Sequence, residues 1–190
     1  MASFARKPAV SAARVKKLVE KLGSEIARRN RGEKSLSLVG IKRRGVPLAE
    51  RLAAQLEKLL KTKVPVGAID ITLYRDDLQL VAETPVVRGS EIDFDINGKV
   101  VVLVDDVVYT GRTVRAALTE LLDFGRPKAI QLAALVDRGN RELPIEPTFV
   151  GRKIATGPSD LVDICLEETD GKDGVFVTRR TGRKAKGGCR

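Results

Sequence analysis

An α/β domain, with a mostly parallel sheet covered by helices on both faces, is predicted by three observations on the sequence. Helical stripes alternate with short apolar runs. Two of those runs, SLSLVGI (35–41) and KVVVLV (99–104), are short and largely apolar without a charge inside them, as strands buried on both faces require. The loops after the runs are polar or glycine-rich, so strands and helices follow one another with clear punctuation.

The elements follow in order. Between residues 12 and 29, Val15, Leu18, Val19, Leu22 and Ile26 recur at helical spacing. This gives an amphipathic helix whose opposite face is strongly basic. Residues 35–41 read as a buried strand feeding a turn. Gly45-Val46-Pro47 opens a second helix, 47–60, with proline in the first turn, where its missing N–H does no harm. Residues 64–73 alternate well enough for a strand. The stretch 74–98 is long, charged and broken by Pro85, Gly89 and Gly98. Inside a compact domain such a connection is either disordered or a working lid. A third strand spans 99–104, a third helix 113–124 and a fourth strand 129–136, with weaker strand candidates at 161–166 and 174–178. The predicted organisation is one domain over residues 1–178 and a basic, disordered tail over 179–190.

Composition narrows the chemistry. At 190 residues and 43% hydrophobic content the chain encloses one core, and its net charge of +10 favours a polyanionic or phosphorylated partner. The chain has no histidine, which excludes Ser-His and Cys-His nucleophiles, an imidazole zinc site and a histidine base. Cys165 and Cys189 match neither a metal-ligand pair nor a disulfide framework. No apolar run serves as a signal peptide or spans a membrane, so a cytoplasmic protein is expected.

Ligands of parallel α/β sheets sit outside the carboxyl ends of the strands. The loops 40–45, 74–89, 105–113 and 137–144 should therefore share one crevice. The most informative stretch is VVLVDDVVYTGRT (101–113). Asp105 and Asp106 leave the sheet at its ligand edge, and ionised carboxylates are pure acceptors suited to vicinal hydroxyls. Thr110, Gly111, Arg112 and Thr113 then set successive N–H groups at a helix start, a cradle for phosphate. A Walker B strand would need a GxxxxGK[ST] loop, which is absent. Receiver domains carry paired acids after their first strand rather than in mid-chain. A purely structural turn stays as the remaining alternative.

The stretch 101–113 resembles the phosphoribosyl pyrophosphate motif of type I phosphoribosyltransferases. GIKRRGVPLAERLA (40–53), DITLYRDDL (70–78) and VDRGNRELPI (136–145) resemble its PyrR branch, pyrimidine operon attenuators that are also uracil phosphoribosyltransferases. The likeness runs from about Val15 to about Phe176. It implies the type I phosphoribosyltransferase fold with a flexible hood loop at 74–89. It implies that Asp105 and Asp106 hold the ribose hydroxyls and that Thr110–Thr113 bind the 5-phosphate, with Val107 and Tyr109 in the same loop. Lys42, Arg43 and Arg44 match the diphosphate loop, and Arg75 and Arg43 are candidates for contact with the leaving group. Val136, Asp137 and Arg138 lie beside the nucleobase. Mg²⁺ is expected with the substrate, held mainly by diphosphate and ribose oxygens and water, with no direct protein ligand.

The implied reaction joins uracil to phosphoribosyl pyrophosphate, giving UMP and diphosphate. Purine-using relatives place an acid just before the Thr-Gly, and this chain has Tyr109 there, which argues against a purine. The resemblance also implies a uridine-nucleotide-sensing regulator that binds pyr leader mRNA, with UMP or UTP promoting the complex and transcription attenuation as the readout. Arg14, Lys17, Lys21 and Arg28 fall on one stripe of the first helix, and Arg138, Arg141, Arg152 and Lys153 add charge for that role. Asn140 stands where many members have histidine. A homodimer or higher homo-oligomer is expected. The alternative is a uracil or purine phosphoribosyltransferase with no RNA role.

Overall fold

The computed structural model describes residues 8–33, 35–71 and 89–179. Its elements are α1 (Ala12–Arg29), β1 (Leu36–Ile41), α2 (Gly45–Leu60), β2 (Val66–Ile69), β3 (Val100–Val108), α3 (Arg112–Asp123), β4 (Ala129–Asp137), β5 (Phe149–Lys153), β6 (Leu161–Cys165), α4 (Glu167–Asp170) and β7 (Gly174–Thr178). Five strands form one sheet in the order β2-β1-β3-β4-β5, and every neighbouring pair is parallel. β6 and β7 make a separate antiparallel hairpin.

The central strands are largely apolar because the sheet is covered twice. On β3, Val100, Val102 and Val104 join a core cluster with Leu22 and Ile26 of α1 and Leu48, Leu52 and Leu56 of α2. Val101 and Leu103 point the other way, into a second cluster with Val114, Ala117 and Leu121 of α3 and with Ile96. The period of two along one strand thus feeds two cores, and each fully buried Val or Leu side chain contributes about 1.5–3 kcal/mol. The reciprocal amide pair of Asn30 and Gln131, both contacts 2.9 Å, satisfies the polar groups where α1 ends against β4.

Several boundaries differ from expectation. β3 runs to Val108, so the acid pair lies inside the strand rather than beyond it. β2 is confined to Val66–Ile69, and residues 72–88, with most of the expected hood and Arg75, lie outside the described residues. β5 was not anticipated. It is an edge strand, with only Phe149 and Val150 apolar beside a glycine and two bases. The four-residue α4 has no apolar stripe to announce it. Cys165, which spacing gave no reason to pair, is buried and disulfide-bonded, with its partner outside the described residues. The tail from residue 180 also lies outside them. Among the described residues no helix is long and apolar enough to cross a membrane.

Candidate functional site

β1 has β2 on one side and β3 on the other, so the strand order reverses there and the connections leave a crevice at the carboxyl ends. The crevice is widened by a mismatch in length. Pairing of β1 with β3 ends at Gly40 and Val104, whereas β3 continues against β4 as far as Val108 and Asp137. The stretch from Asp105 to Val108 therefore has a ladder on its β4 side alone. There the strand's own carboxylates take over: Asp105 Oδ1 accepts from the Asp106 N–H at 2.9 Å, and Asp106 Oδ1 accepts from the Val107 N–H at 2.8 Å. Asp105 is buried and Asp106 partly so. Burial pushes the Asp106 carboxyl up from its ordinary range, against the nearby Arg44 guanidinium and the Val107 N–H, which pull it down.

Beyond Val108 the chain turns sharply. Gly111 has φ 93°, a conformation that favours glycine, and it caps α3. A Cβ on it would also lie 3.3 Å from that of Leu143. The Thr110 carbonyl accepts from the Glu142 and Leu143 N–H groups at 2.9 and 3.0 Å, which ties the turn to the loop after β4. Thr110 Oγ1 accepts from the Arg112 N–H at 3.3 Å. The exposed Arg112 guanidinium contacts Glu142 at 2.7 Å, and Thr113 is exposed. The first turn of α3 carries no acid of its own, which suits an anion at its positive end.

The turn 42–44 faces this arrangement across the crevice, and two glycines allow its approach. A Cβ on Gly45 would sit 2.4 Å from the Val104 carbonyl oxygen, and one on Gly40 would sit 2.5 Å from the Val46 Cα. The backbone at the start of α2 is therefore pressed against β3 immediately before the acids. Lys42 Nζ reaches the Gly89 carbonyl at 3.0 Å and Glu91 at 2.9 Å, joining the turn to the segment that follows the expected hood. The Lys42–Arg43 peptide is cis. Arg43 is exposed. Arg44 turns away toward α4, where it makes a two-pronged pair with Asp170. The first turn of α2 is free of acids as well.

On the β4 side the loops close around Tyr109. Arg138 is only 7% exposed and lies over the Tyr109 ring, 3.9 Å from its centroid. Its other contacts run to Thr156 Oγ1 at 3.1 Å and to the carbonyls of Gly157 and Asp160 at 3.2 and 2.8 Å. Tyr109 donates to the Pro158 carbonyl at 3.3 Å. Val136 and Asp137 are buried and Val107 is partly buried. Arg141 is likewise internal: it donates to Ile145 O, Tyr109 O and Asp137 Oδ1, each at 2.8 Å. The 156–160 loop and Asp170 were absent from the sequence reading. The turn-rich TGPSD at 156–160 was the available signal for the loop; for Asp170 there was none.

Away from the crevice, Arg14, Lys17, Lys21 and Arg28 are all exposed on α1, which packs on α2 and β5. Lys21 Nζ contacts the carbonyls of Val150 and Gly151 at 3.0 and 3.3 Å. Arg152 and Lys153 are exposed on consecutive positions at the end of β5, the strand against which α1 packs.

Residues 11–164 match the model of the phosphoribosyl transferase domain. The chain is 54% identical over 168 residues to "Bifunctional protein PyrR" of Roseiflexus sp. (strain RS-1), covering 88% of this chain and 92% of that one. It is 52% identical over 163 residues to the protein of the same name in Clostridioides difficile (strain 630), covering 86% and 92%. Among solved structures, a mutant hypoxanthine phosphoribosyltransferase from Trypanosoma cruzi in a ternary substrates complex superposes with a TM-score of 0.71 at 20% identity, over 93% of this chain and 96% of that one. At that identity the likeness speaks for the fold.

Proposed function

The chain belongs to the phosphoribosyltransferase family, in its PyrR branch, and from that premise we propose that it makes UMP from uracil and phosphoribosyl pyrophosphate. The single observation that carries the reading is the acid pair at the open end of β3, one turn before the Gly111 cradle and opposite the 42–44 turn. In this reading Asp105 and Asp106 accept the ribose hydroxyls, and N–H groups of Thr110 to Thr113 hold the 5-phosphate. Main-chain donors of Lys42 to Gly45, at the start of α2, stabilise the departing diphosphate. A uracil nitrogen bonds to the ribose carbon as the carbon–oxygen bond to diphosphate breaks, and the proton of that nitrogen passes to water or to the departing diphosphate. Positive charge builds on the sugar between the two carboxylates and the leaving group.

Mg²⁺, which retains water and favours substrate oxygens, would be held mainly by the diphosphate and ribose oxygens and by water, with Asp105 and Asp106 fixing the ribose hydroxyls beside it. The ion would neutralise the diphosphate as it leaves. Tyr109 with Arg138 stacked on it fills the side of the pocket where a purine user needs a carboxylate, which favours a pyrimidine. UMP formation with purified protein tests the reading: it is expected with uracil, and the Asp105→Asn, Asp106→Asn double variant should lose it. Preference for hypoxanthine over uracil would overturn the pyrimidine assignment.

The second half of the proposal is a uridine-nucleotide-sensing regulator that binds pyr leader mRNA. The exposed basic surface of α1 and β5 supports it. Arg138 and Arg141 spend their donors inside the protein, so in this reading they shape the interface and Arg14, Lys17, Lys21, Arg28, Arg152 and Lys153 meet phosphates. Gel shifts with leader hairpin and with scrambled RNA, each with and without UMP, decide it, and equal binding to both RNAs rejects it. The reading carries with it a cytoplasmic homodimer or larger assembly, which light scattering on the purified protein measures.

A further inference from the structure

Arg44 is the last residue of the 42–44 turn and the cap of α2. Its Nε donates to Asp170 Oδ2 at 2.9 Å and its Nη2 to Asp170 Oδ1 at 2.8 Å. This two-pronged geometry fixes the plane of the guanidinium as well as its position. The Asp170 side chain is 6% exposed, and its Oδ2 also accepts from the Leu166 N–H at 2.9 Å, so the carboxylate is itself held. The charge of Arg44 acts on Asp106 and Asp163 too.

Farther along the same face of α2, Arg51 makes a similar clasp, with Glu168 at 2.7 Å and Asp173 at 2.8 Å. The first ties the start of α2 to α4, and the second ties α2 to α4 and to Asp173, the residue before β7. Only the first involves a residue of the anion-binding turn.

We propose that Asp170 is a positioning residue for the diphosphate subsite, holding Arg44 so that the 42–44 turn keeps its place at the start of α2 with its donors toward the anion. This rests on reading that turn as the diphosphate site. Asp170 acts through Arg44 and touches no substrate.

Calorimetric titration of the full chain with magnesium diphosphate, together with steady-state kinetics, tests the assignment. Asp170→Asn is expected to weaken diphosphate binding and raise KM for phosphoribosyl pyrophosphate by about five- to tenfold, inside the span of coupling between contacting residues. KM for uracil and kcat at saturation should stay near the wild-type values, and Asp170→Glu, which keeps the carboxylate, should recover part of the loss. Asp173→Asn is the control for a loosened α4, expected to lower Tm with no change in KM for phosphoribosyl pyrophosphate. Arg44→Ala with Asp170→Asn should be no worse than Arg44→Ala alone. If Asp170→Asn does not fold, Arg44→Lys, which keeps the charge and loses the fork, should show the same rise in KM. An equal shift in Asp173→Asn, or additive losses in the double variant, overturns the proposal. Wild-type protein that binds no diphosphate removes the reading of the turn itself, whereas tight binding unchanged by Asp170→Asn removes only the role of Asp170.

Discussion

Gly45 and Asp106 show how single positions trade stability for a site. With the Val104 carbonyl 2.4 Å from where its Cβ would be, Gly45→Ala cannot be absorbed without moving the start of α2. Overpacking of this kind costs about 1–3 kcal/mol, and a lowered Tm together with loss of UMP formation is the expected result. Asp106 trades in the other direction. Burial raises its carboxyl above the ordinary range, so the folded state binds the proton more readily than the unfolded chain does. Its cost to stability is full above the raised pKa and is relieved as pH falls through it. Activity has the opposite need, because the ribose hydroxyls want an ionised acceptor. Asp106→Asn is therefore expected to raise Tm at neutral pH while abolishing UMP formation, by scanning calorimetry and product assay. The acid pair and the Thr-Gly turn were legible in the sequence because their residue types are rare in that order. Asp170 was not, because it meets Arg44 across 126 positions of chain.

The elements divide in the same way. β1, β3 and β4 were readable because strands covered on both faces must be apolar along their length. β3 nevertheless outran its apolar run, since the residues past Val104 are held by β4 and by their own carboxylates. β5, with one side of its ladder open, needs few apolar residues and showed little pattern. α4 is held by charge, and its behaviour should follow pH. The guanidiniums of Arg44 and Arg51 hold the Asp170, Asp173 and Glu168 carboxyls below their ordinary range. The stabilisation they give is present above the unfolded carboxylate pKa and is lost as pH falls through the lowered folded values. Hydrogen exchange is expected to show α4 and the β6–β7 hairpin loosening on acidification before the central sheet does. Simultaneous opening of all of them would refute that order.

At the scale of the molecule, two surfaces of different character share one sheet. The crevice between β1 and β3 concentrates acids and anion-binding turns, while α1 and the end of β5 carry cations outward. The net charge of +10 pointed to an anionic partner but not to where it would dock. Arg138 and Arg141 illustrate why: a charged run looks solvated in sequence, yet here both guanidiniums bind loop carbonyls. If the outer surface tracks a phosphate backbone, RNA affinity falls steeply with salt. Replacing Lys17 and Arg28 by alanine should then lessen the slope of log K against log salt by about 0.7–0.9 per cation. Filter binding at several ionic strengths measures it, and an unchanged slope places the contacts elsewhere.

Where β1 stops short of β3, the amide protons of Asp106 and Val107 are bonded to the carboxylates of Asp105 and Asp106. Two reporter nuclei thus sit within the protein at the point where a sugar would dock. Their resonances register any partner that draws those oxygens away, so occupancy becomes readable by magnetic resonance without a label on the ligand.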